Sequence, residues 1–383
     1  MHPLCVLTKV VGGVSETFIE DHAKRLLPGR TALAAAVALP ESGRAWWFDG
    51  PLLVLRDRRR WVRVLVHALT LSRSVGLTER RHLGRLEAFW RAQGCSHVLS
   101  EYLDVGPAYV RRAKDMGLHW YSFGHGYDVS RSLRSAFWRR LFREHRFADG
   151  VFVRSSTARR RLSDLGIARD RIHVTPGGVA VPHEPPERRP EGGPVRLLTV
   201  GRLVGKKDIL TTIRALRTAR AQADREIVLT VVGDGPDAAR AKALASNQGL
   251  QGAVRFLGSL PREQVQDELR AADAFVLHSR TDPRTGDEEG LPTAILEAMA
   301  YALPVVSTRH AGIPDAVVEG ETGFLTDEGD VQETARAIAT LADDAELRRR
   351  MGLAGYERAR AEYTWERERE RILTAMGLPV LDG

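Results

Sequence analysis

The chain has 383 residues, of which 43% are apolar and 28% charged, with a formal net charge of +8 and only two cysteines. Its length favours two domains over one, because single hydrophobic cores seldom grow beyond about 250–300 residues. The sequence lacks an apolar run of the roughly 20 residues that span a bilayer, a signal peptide and a disulfide framework. We therefore expect a cytoplasmic protein in which Cys5 and Cys95 are reduced core residues.

The charge is divided unevenly between the two halves of the chain. Residues 1–190 hold 32 Lys and Arg against 18 Asp and Glu, a net charge of +14. Residues 191–383 hold 25 against 31, a net charge of −6. A basic half joined to an acidic half suggests that the first half meets an anionic partner.

The first half alternates short apolar runs with helical patterns. A helix over SETFIEDHAKRLL is predicted, with Ser15 as its cap and one apolar face. The candidate strands are, in chain order, LCVLTK, TALAAAV, HVLSEYL, HWYSFGH, GVFVRS and RIHVTP. Strands alternating with helices predict a parallel sheet.

The second half repeats this alternation more regularly, behind a linker rich in Pro, Gly and charge. Its predicted strands are VRLLTVG, EIVLTVVG, VRFLG, DAFVLHS and PVVSTR, with helices between them. Right-handed crossovers make such a unit Rossmann-like. The predicted fold class is therefore α/β, with two Rossmann-like domains whose parallel sheets face each other across a cleft. The predicted divisions are domain 1–182, linker 183–194, domain 195–362 and a final helical segment 363–383 that could cross back to the first domain.

The segment EEGLPTAILEAMA carries the strongest chemical signal. Glu289 and Glu297 are separated by seven residues, and Pro292 suits the first turn of the helix between them. The backbone N–H groups at a helix start bind phosphate well. Glu297 could then accept hydrogen bonds from ribose hydroxyls, and Glu289 would lie near the other end of the same ligand. A capping acid and a solvated glutamate are the alternative explanation.

Other candidates follow predicted strands. Arg202 and Lys207, in VGRLVGKKD, could neutralise a diphosphate and stabilise it as a leaving group. The turns VVGDGP and RFLG, which contain Gly233 and Leu257, could contact a nucleobase through the backbone. Packing or solvation alone would also explain each of these features.

The first half offers two weaker candidates. Gly12 and Gly13 follow the first strand and would permit close approach of the backbone to a phosphate or sugar. His125 lies between two glycines at the end of a predicted strand, where α/β sheets bind ligands. A core histidine remains the alternative for His125.

The second half resembles glycosyltransferase family 4, the retaining enzymes of the GT-B fold. The resemblance rests on VGRLVGKKD, VVGDGP, RFLGSLPREQV, DAFVLHS, EEGLPTAILEAMAYALPVVST, GIPDAVVEGETGFL and YTWE, in the family's order. The first half matches through GGVSETFI, HGYDVS and ADGVFVRSSTARRRLSDLGIARDRIHVTPGGV. The SETFI motif and the long loop before Glu289 most resemble the exopolysaccharide branch.

The resemblance implies a role for each candidate. Arg202 and Lys207 would bind the donor diphosphate, Glu297 the ribose, and His125 the donor sugar. Glu289 and the backbone amides from Gly290, Leu291, Pro292 and Thr293 would hold sugar and phosphate, while Gly13 would make room for the phosphate. The sequence departs from the family pattern at Asp208, where Gly is common, and in the longer, acidic loop TDPRTGDEEG.

The implied reaction transfers a sugar from a nucleotide-sugar, with a UDP-sugar favoured over GDP-mannose, to a glycan, lipid-linked or small natural-product acceptor. No Asp-x-Asp pair stands in a suitable context, so we expect neither a metal nor another cofactor. A GT-B-like sugar-nucleotide epimerase is the alternative enzyme. A nucleic-acid binder is disfavoured because no recognition motif is present.

Two stretches concentrate the basic charge, Arg56–Arg73 and Arg131–Phe147. Both mix Arg with apolar residues, a composition found in helices that lie on anionic membrane surfaces. Packed helices with solvated Arg faces explain them as well. Peripheral contact with the inner face of the cell membrane therefore stays open beside a purely cytoplasmic location.

Overall fold

The computed structural model describes residues 2–13, 17–40, 42, 44–55, 75–187 and 192–380. The chain divides into two compact units. The first comprises Met1–Val153, Arg159–Thr175 and Arg369–Gly383, and the second Arg154–Ala158 and Pro176–Glu368. The predicted cap Ser15, the basic stretch Arg56–Arg73 and residues 188–191 of the predicted linker lie outside the described residues.

Seven parallel strands form the sheet of the first unit, in the spatial order β3-β2-β1-β4-β5-β6-β7. They are β1 (Leu4–Val11), β2 (Thr31–Ala38), β3 (Leu52–Val54), β4 (His97–Glu101), β5 (His119–Gly124), β6 (Gly150–Val153) and β7 (Ile172–Val174). Six of them were predicted. The exception is β3, a three-residue edge strand that is too short to show an apolar pattern.

Helices cover this sheet. They are α1 (Thr17–Arg25), α2 (Val75–Gln93), α3 (Val110–Asp115), α4 (Ala136–Phe142) and α5 (Ser156–Asp164). The first five residues of β1 and of β2 are buried, as expected for central parallel strands covered on both faces. Trp90 of α2 packs edge-on against Trp120 of β5, with ring centroids 6.3 Å apart, which joins helix to sheet.

Six parallel strands form the sheet of the second unit, in the order β10-β9-β8-β11-β12-β13. They are β8 (Val195–Val200), β9 (Ile227–Val232), β10 (Val254–Gly258), β11 (Ala274–Val276), β12 (Val305–Thr308) and β13 (Gly323–Thr326). The five predicted strands are present, and β13 adds an edge strand beside β12.

Helices pack on both faces of this second sheet. They are α6 (Ile209–Gln222), α7 (Ala238–Asn247), α8 (Arg262–Ala271), α9 (Thr293–Ala300), α10 (Ile313–Ala316), α11 (Val331–Asp343) and α12 (Ala345–Glu362). Two separate clusters of buried apolar residues result, one on each face. The prediction of two Rossmann-like domains with parallel sheets is thereby confirmed. In each unit the carboxyl ends of the strands share one edge, where such sheets bind ligands.

The last helix, α13 (Trp365–Met376), buries the residues that the sequence pattern selected, Trp365, Ile372 and Leu373. From Arg369 onward the chain belongs to the first unit. There Tyr121 donates a hydrogen bond from Oη to the carbonyl of Ala375 at 3.2 Å. The end of the helix is thus fixed to β5.

Candidate active site

The start of α9 presents unbonded backbone donors. Pro292 is the residue before the helix, with extended backbone angles of −64° and 118°, and Thr293 is the first helical residue. Within the described residues, the N–H groups of Gly290, Leu291 and Thr293 make no hydrogen bond. Helix-start amides are donors that an anion can satisfy. The predicted phosphate-binding start of this helix therefore has the donors that the prediction requires.

Glu289 stands next to these amides and contacts two lysines. Its Oε1 lies 3.4 Å from Nζ of Lys206, and its Oε2 lies 3.4 Å from Nζ of Lys207. All three side chains are only 12–13% exposed. Lys207 was predicted from the sequence, whereas Lys206 was missed, although its place beside Lys207 was the available signal. The site thus holds two cations around one carboxylate.

Burial and charge act against each other in this cluster. Burial lowers the pKa of Lys207, and the Glu289 carboxylate opposes that effect. Burial alone would raise the pKa of Glu289, but the positive charges of Lys207 and Lys206 outweigh it and hold the pKa below its usual range. Glu289 is therefore ionised at neutral pH. Its charge keeps the two nearby ammonium groups compensated when no anionic ligand is bound.

Asp208, one of the two departures from the family pattern, has a left-handed backbone with φ of 30° and ψ of 51°. Glycine adopts this region freely, and Asp is among the few other residues that tolerate it. The carboxylate accepts hydrogen bonds from the backbone N–H and the hydroxyl of Thr211, at 3.4 and 2.7 Å, and so caps α6. It also pairs with Arg280 at 3.2 Å. Asp208 thus keeps the turn that glycine would make and adds a helix cap.

The second departure, the acidic loop 281–290, folds over the turn that carries the lysines. Asp282 accepts hydrogen bonds from the backbone N–H groups of Arg284 and Thr285, at 2.8 and 3.1 Å, which closes the loop on itself. Asp287 pairs with Lys206 at 3.0 Å, and the same ammonium donates to the carbonyl of Glu288 at 3.3 Å. The loop therefore holds Lys206 more tightly than Lys207.

His310 fixes the backbone at Glu289. Its Nε2 accepts a hydrogen bond from the Glu289 N–H at 3.2 Å, while its Nδ1 lies 2.6 Å from Oε1 of Glu328. The ring is 1% exposed. Since Nε2 accepts a hydrogen bond, Nδ1 must carry the ring proton, and it donates a hydrogen bond to Glu328. The other oxygen of Glu328 accepts a hydrogen bond from the N–H of Thr281 at 2.9 Å, so a chain of hydrogen bonds through Glu328 and His310 ties the acidic loop to Glu289.

Glu297 lies one turn inside α9 and is half-buried. Burial raises the pKa of its carboxyl, and the charge of Arg262 opposes this only in part. Among the residues that the structure describes, no cation lies within ion-pair distance of it. A half-buried carboxylate without an ion-pair partner can accept hydrogen bonds from the hydroxyl groups of a ligand, and the ribose contact of Glu297 stays a prediction.

The remaining predicted residues of the second unit are less informative. Arg202 is exposed and has no ion-pair partner in the described part of the chain. Gly233 has φ of 129°, and a Cβ there would lie 2.0 Å from the carbonyl oxygen of Gly201. Close backbone packing alone therefore requires Gly233. Leu257 is half-buried at a register shift between β10 and β9.

In the first unit, His125 follows β5 and is 11% exposed. Its Nε2 lies 2.9 Å from Oε2 of Glu101, a buried residue at the end of β4 that sequence reasoning missed. Gly13 is half-buried beside Gly12. Gly12 has φ of 92°, and a Cβ there would lie 2.5 Å from Cβ of Arg44. Backbone geometry therefore requires glycine at Gly12.

No group of three or more His, Cys, Asp or Glu side chains is arranged to hold a metal ion among the described residues. The arrangement in the second unit is instead suited to an anion. It has two lysines that are 12–13% exposed, three amide donors, and the carboxylates of Glu289 and Glu297, which can accept hydrogen bonds from hydroxyl groups. A phosphorylated sugar carries both kinds of group.

Comparison with known proteins points the same way. The family described as Glycosyl transferases group 1 matches residues 182–358. A GDP-mannose-dependent alpha-(1-6)-phosphatidylinositol monomannoside mannosyltransferase of Mycolicibacterium smegmatis is 31% identical over 257 residues, which cover 65% of this chain and 67% of that protein. The chain belongs to the group 1 glycosyltransferase family. Its exopolysaccharide relatives include the amylovoran biosynthesis glycosyltransferase AmsK of Erwinia amylovora, 33% identical over 57% of this chain and 54% of that one. The chain thus spans about half the length of AmsK.

Two solved structures share the fold over nearly the whole chain. The apo form of the lipopolysaccharide outer core galactosyltransferase WaaB matches 98% of this chain and 99% of its own, with a TM-score of 0.74 and 17% identity. The structure of Anabaena HepE in complex with UDP matches 98% of this chain and 99% of its own, with a TM-score of 0.73 and 18% identity. At these identities the likeness concerns the fold, and the predicted GT-B architecture is confirmed.

Proposed function

We propose that this member of the family is a retaining glycosyltransferase that moves a sugar from a nucleotide-diphosphate sugar to an acceptor hydroxyl. The observation that carries the proposal is the position of Lys206, Lys207 and Glu289 beside the unbonded amides at the start of α9. The cations and amides suit a diphosphate, and the carboxylate suits the sugar hydroxyls. A direct test is product formation from radiolabelled nucleotide-sugars with a panel of saccharide acceptors.

The roles proposed for individual residues follow the ligand from end to end. Lys207 and Arg202, joined now by Lys206, bind the diphosphate. Glu297 accepts hydrogen bonds from the ribose, and Glu289 holds the sugar. In addition, the backbone N–H groups of Gly290, Leu291 and Thr293 donate to phosphate at the helix start that Pro292 sets. Gly233 and Leu257 contact the base, His125 contacts the sugar and Gly13 the phosphate.

The proposed donor is a UDP-sugar, and GDP-mannose is the second candidate. UDP is bound in the HepE structure that shares this fold, whereas the mannosyltransferase relative is described as GDP-mannose-dependent. A ligand that binds the folded state raises the melting temperature by mass action. A thermal-shift panel of UDP, GDP and their sugars separates the two: stabilisation by GDP and GDP-mannose alone would reassign the donor.

The proposed chemistry is a same-face substitution at the anomeric carbon. The bond from that carbon to the diphosphate oxygen breaks, the bond to the acceptor oxygen forms, and the acceptor proton passes to an oxygen of the leaving diphosphate. Lys206, Lys207 and Arg202 stabilise the charge that develops there, in place of a metal ion. Proton NMR of the product tests retention: an α-linked donor must give an α-linked product, and a β-linked product contradicts it.

The proposed acceptor is a glycan, either free or lipid-linked, because AmsK is described as acting in amylovoran biosynthesis. A small natural product is the second acceptor class. An epimerase would consume the donor without any acceptor. Donor turnover in the absence of acceptor would therefore favour an epimerase over a transferase. Stoichiometric release of nucleoside diphosphate with glycosylated acceptor supports transfer.

We further propose that α4 and its flanks bring the protein to an anionic membrane surface. Phe137 is 51% exposed, the largest exposed fraction among the large apolar side chains described. The exposed arginines around it are Arg131, Arg134, Arg139, Arg140, Arg143 and Arg146. An exposed apolar side chain in a segment that also carries exposed arginines suits an anionic lipid surface. The described residues include no helix long and apolar enough to cross a membrane.

A further inference from the structure

Glu101 joins two histidines in the first unit. It is the last residue of β4 and its side chain is 0% exposed. Oε1 lies 2.6 Å from Nδ1 of His22 on α1, and Oε2 lies 2.9 Å from Nε2 of His125 after β5. Each oxygen of the Glu101 carboxylate thus makes a hydrogen bond with a different imidazole. The two histidines come from elements that are distant in sequence, so only the fold brings them to one carboxylate.

The charge state of Glu101 determines where the protons lie. Burial by itself would raise the pKa of this carboxyl, but the interaction with His22 and the hydrogen bond from His125 outweigh it and lower the pKa to about 2. Glu101 is therefore ionised at neutral pH and can only accept hydrogen bonds. It follows that His22 carries a proton on Nδ1 and His125 carries one on Nε2. A neutral His125 then has its lone pair on Nδ1.

The His125 ring is also fixed by its aromatic neighbours. It stacks on Phe123 with ring centroids 4.5 Å apart and planes 3° apart. Tyr102 approaches its edge at 4.9 Å. The backbone N–H of His125 donates to Asp128 at 2.9 Å. Stacking fixes the plane of the ring but is indifferent to which way the ring is flipped within that plane, so the hydrogen bond that His125 donates to Glu101 decides which nitrogen faces the carboxylate.

We propose that Glu101 is a positioning residue that sets the ring orientation and the proton position of His125 for sugar transfer. The part concerning transfer rests on the proposed function, in which His125 contacts the donor sugar. Carboxylates that hold a functional imidazole in one tautomer act in this way in metal sites and in hydrolase triads. Glu101 itself is fully buried and acts on the reaction only through His125.

The substitution Glu101→Gln tests this because it changes the number of acceptors and hardly changes the shape. A carboxylate accepts from both imidazoles, whereas an amide offers one oxygen acceptor and one NH₂ donor. One histidine must then move its proton or lose its hydrogen bond. The matched control is His22→Asn, whose side-chain NH₂ can replace the Nδ1 donor and leave the bond from His125 intact.

The first measurement needs neither substrate nor a substitution at Glu101. In ¹⁵N-histidine-labelled wild-type protein at pH 8, long-range ¹H–¹⁵N spectra report which ring nitrogen carries the proton. The His125 signals are assigned from their loss in His125→Ala. We expect a protonated Nε2 in His125, and an unprotonated Nε2 overturns the proposal. Because no sugar is involved, this result stands whether or not the proposed function is correct.

The second measurement uses sugar-transfer kinetics. We expect Glu101→Gln to lower kcat about 10- to 100-fold with a donor KM within about threefold, and His22→Asn to keep kcat within about threefold. In a His125→Ala background, Glu101→Gln should change kcat less than twofold, because its effect passes through His125. Equal losses in both backgrounds, or no loss in either, overturn the proposal. Absence of transfer by the wild type instead contradicts the proposed function.

Discussion

The Nζ atom of Lys207 lies 3.4 Å from Oε2 of Glu289, and both side chains are 13% exposed. A buried ammonium needs a compensating charge, and this carboxylate provides it before any ligand binds. A bound diphosphate would supply a second anion to the same ammonium. The pair therefore keeps a cation in place at the start of α9 without leaving it uncompensated.

Replacing Lys207 by Ala should lower kcat for sugar transfer by about 100-fold, because one donor to the developing charge on the leaving diphosphate is lost. The matched control is Lys242→Ala, which removes an exposed lysine on α7 and should keep kcat within twofold. Steady-state kinetics with saturating acceptor check both values. A Lys207→Ala variant with kcat within threefold of wild type would contradict the diphosphate role.

The substitution Glu297→Gln should stabilise the ligand-free protein and weaken its binding of the donor. Burial raises the pKa of this carboxyl, so the folded state holds the Glu297 proton more tightly than the unfolded state. Stability is therefore lost as the pH rises from the usual carboxyl pKa through the raised one, and the ionised carboxylate destabilises the free protein above that window.

We accordingly expect Glu297→Gln to raise the melting temperature of the ligand-free protein at pH 8 and to leave it nearly unchanged near pH 4. The same variant should raise the donor KM about tenfold, because an amide accepts hydroxyl protons less well than a carboxylate. Thermal unfolding at the two pH values and donor titrations check this. A lower melting temperature with an unchanged KM would contradict the ribose assignment.

Chelation should leave the reaction intact. If cationic side chains and amides stabilise the leaving diphosphate, turnover in excess EDTA should stay within about twofold of the untreated rate. The comparison is made on one preparation, before and after EDTA and again after added Mn²⁺. Complete loss of turnover that manganese restores would show that a divalent ion takes part.

The Glu101 carboxyl should account for part of the acid sensitivity of the first unit. Its pKa is lowered to about 2 from an ordinary 4.5, so between these values the unfolded state binds more protons. The stability that ionised Glu101 contributes is present above pH 4.5 and is lost as the pH falls towards 2. The full shift corresponds to about 3 kcal/mol.

Urea unfolding of wild type and Glu101→Gln at pH 6 and pH 3 measures this contribution. The difference between their free energies of unfolding should be large at pH 6 and should shrink at pH 3. Glu20→Gln, which removes a partly exposed pair with Lys24, should show a difference below about 1 kcal/mol at both pH values. A constant difference for Glu101→Gln would contradict its ionisation in the folded state.

Vesicle binding should depend on Phe137. Co-sedimentation with vesicles that contain phosphatidylglycerol should be strong at low salt and should weaken several-fold at 0.3 M salt, because the attraction to arginine is screened. Phe137→Ser should reduce binding further, whereas Leu353→Ser, which removes an apolar side chain 38% exposed in the second unit, should not. No binding to anionic vesicles at low salt excludes the membrane proposal.

Sequence patterns were sufficient to predict the features that depend on residues close together in the chain. The apolar runs predicted eleven of the thirteen described strands, and the two that they missed, β3 and β13, are short edge strands. The positions of Glu289 and Glu297 on either side of a helix start were likewise visible, because the helix and its first turn lie within one segment. Asp208 was recognised as a departure, but its left-handed backbone was not.

Tertiary structure decided which charges meet. The sequence alone determined two parallel Rossmann-like sheets, a carboxylate pair around a helix start and a lysine after a strand. Both Lys206 and Lys207 contact Glu289 because the loop after β11 folds back on the turn after β8. Glu101 accepts hydrogen bonds from both His22 and His125 because β4 lies beside β5 and because His22 of α1 reaches the same carboxylate. Such contacts join residues 24 to 83 positions apart, and local periodicity carries no information about pairs at that separation.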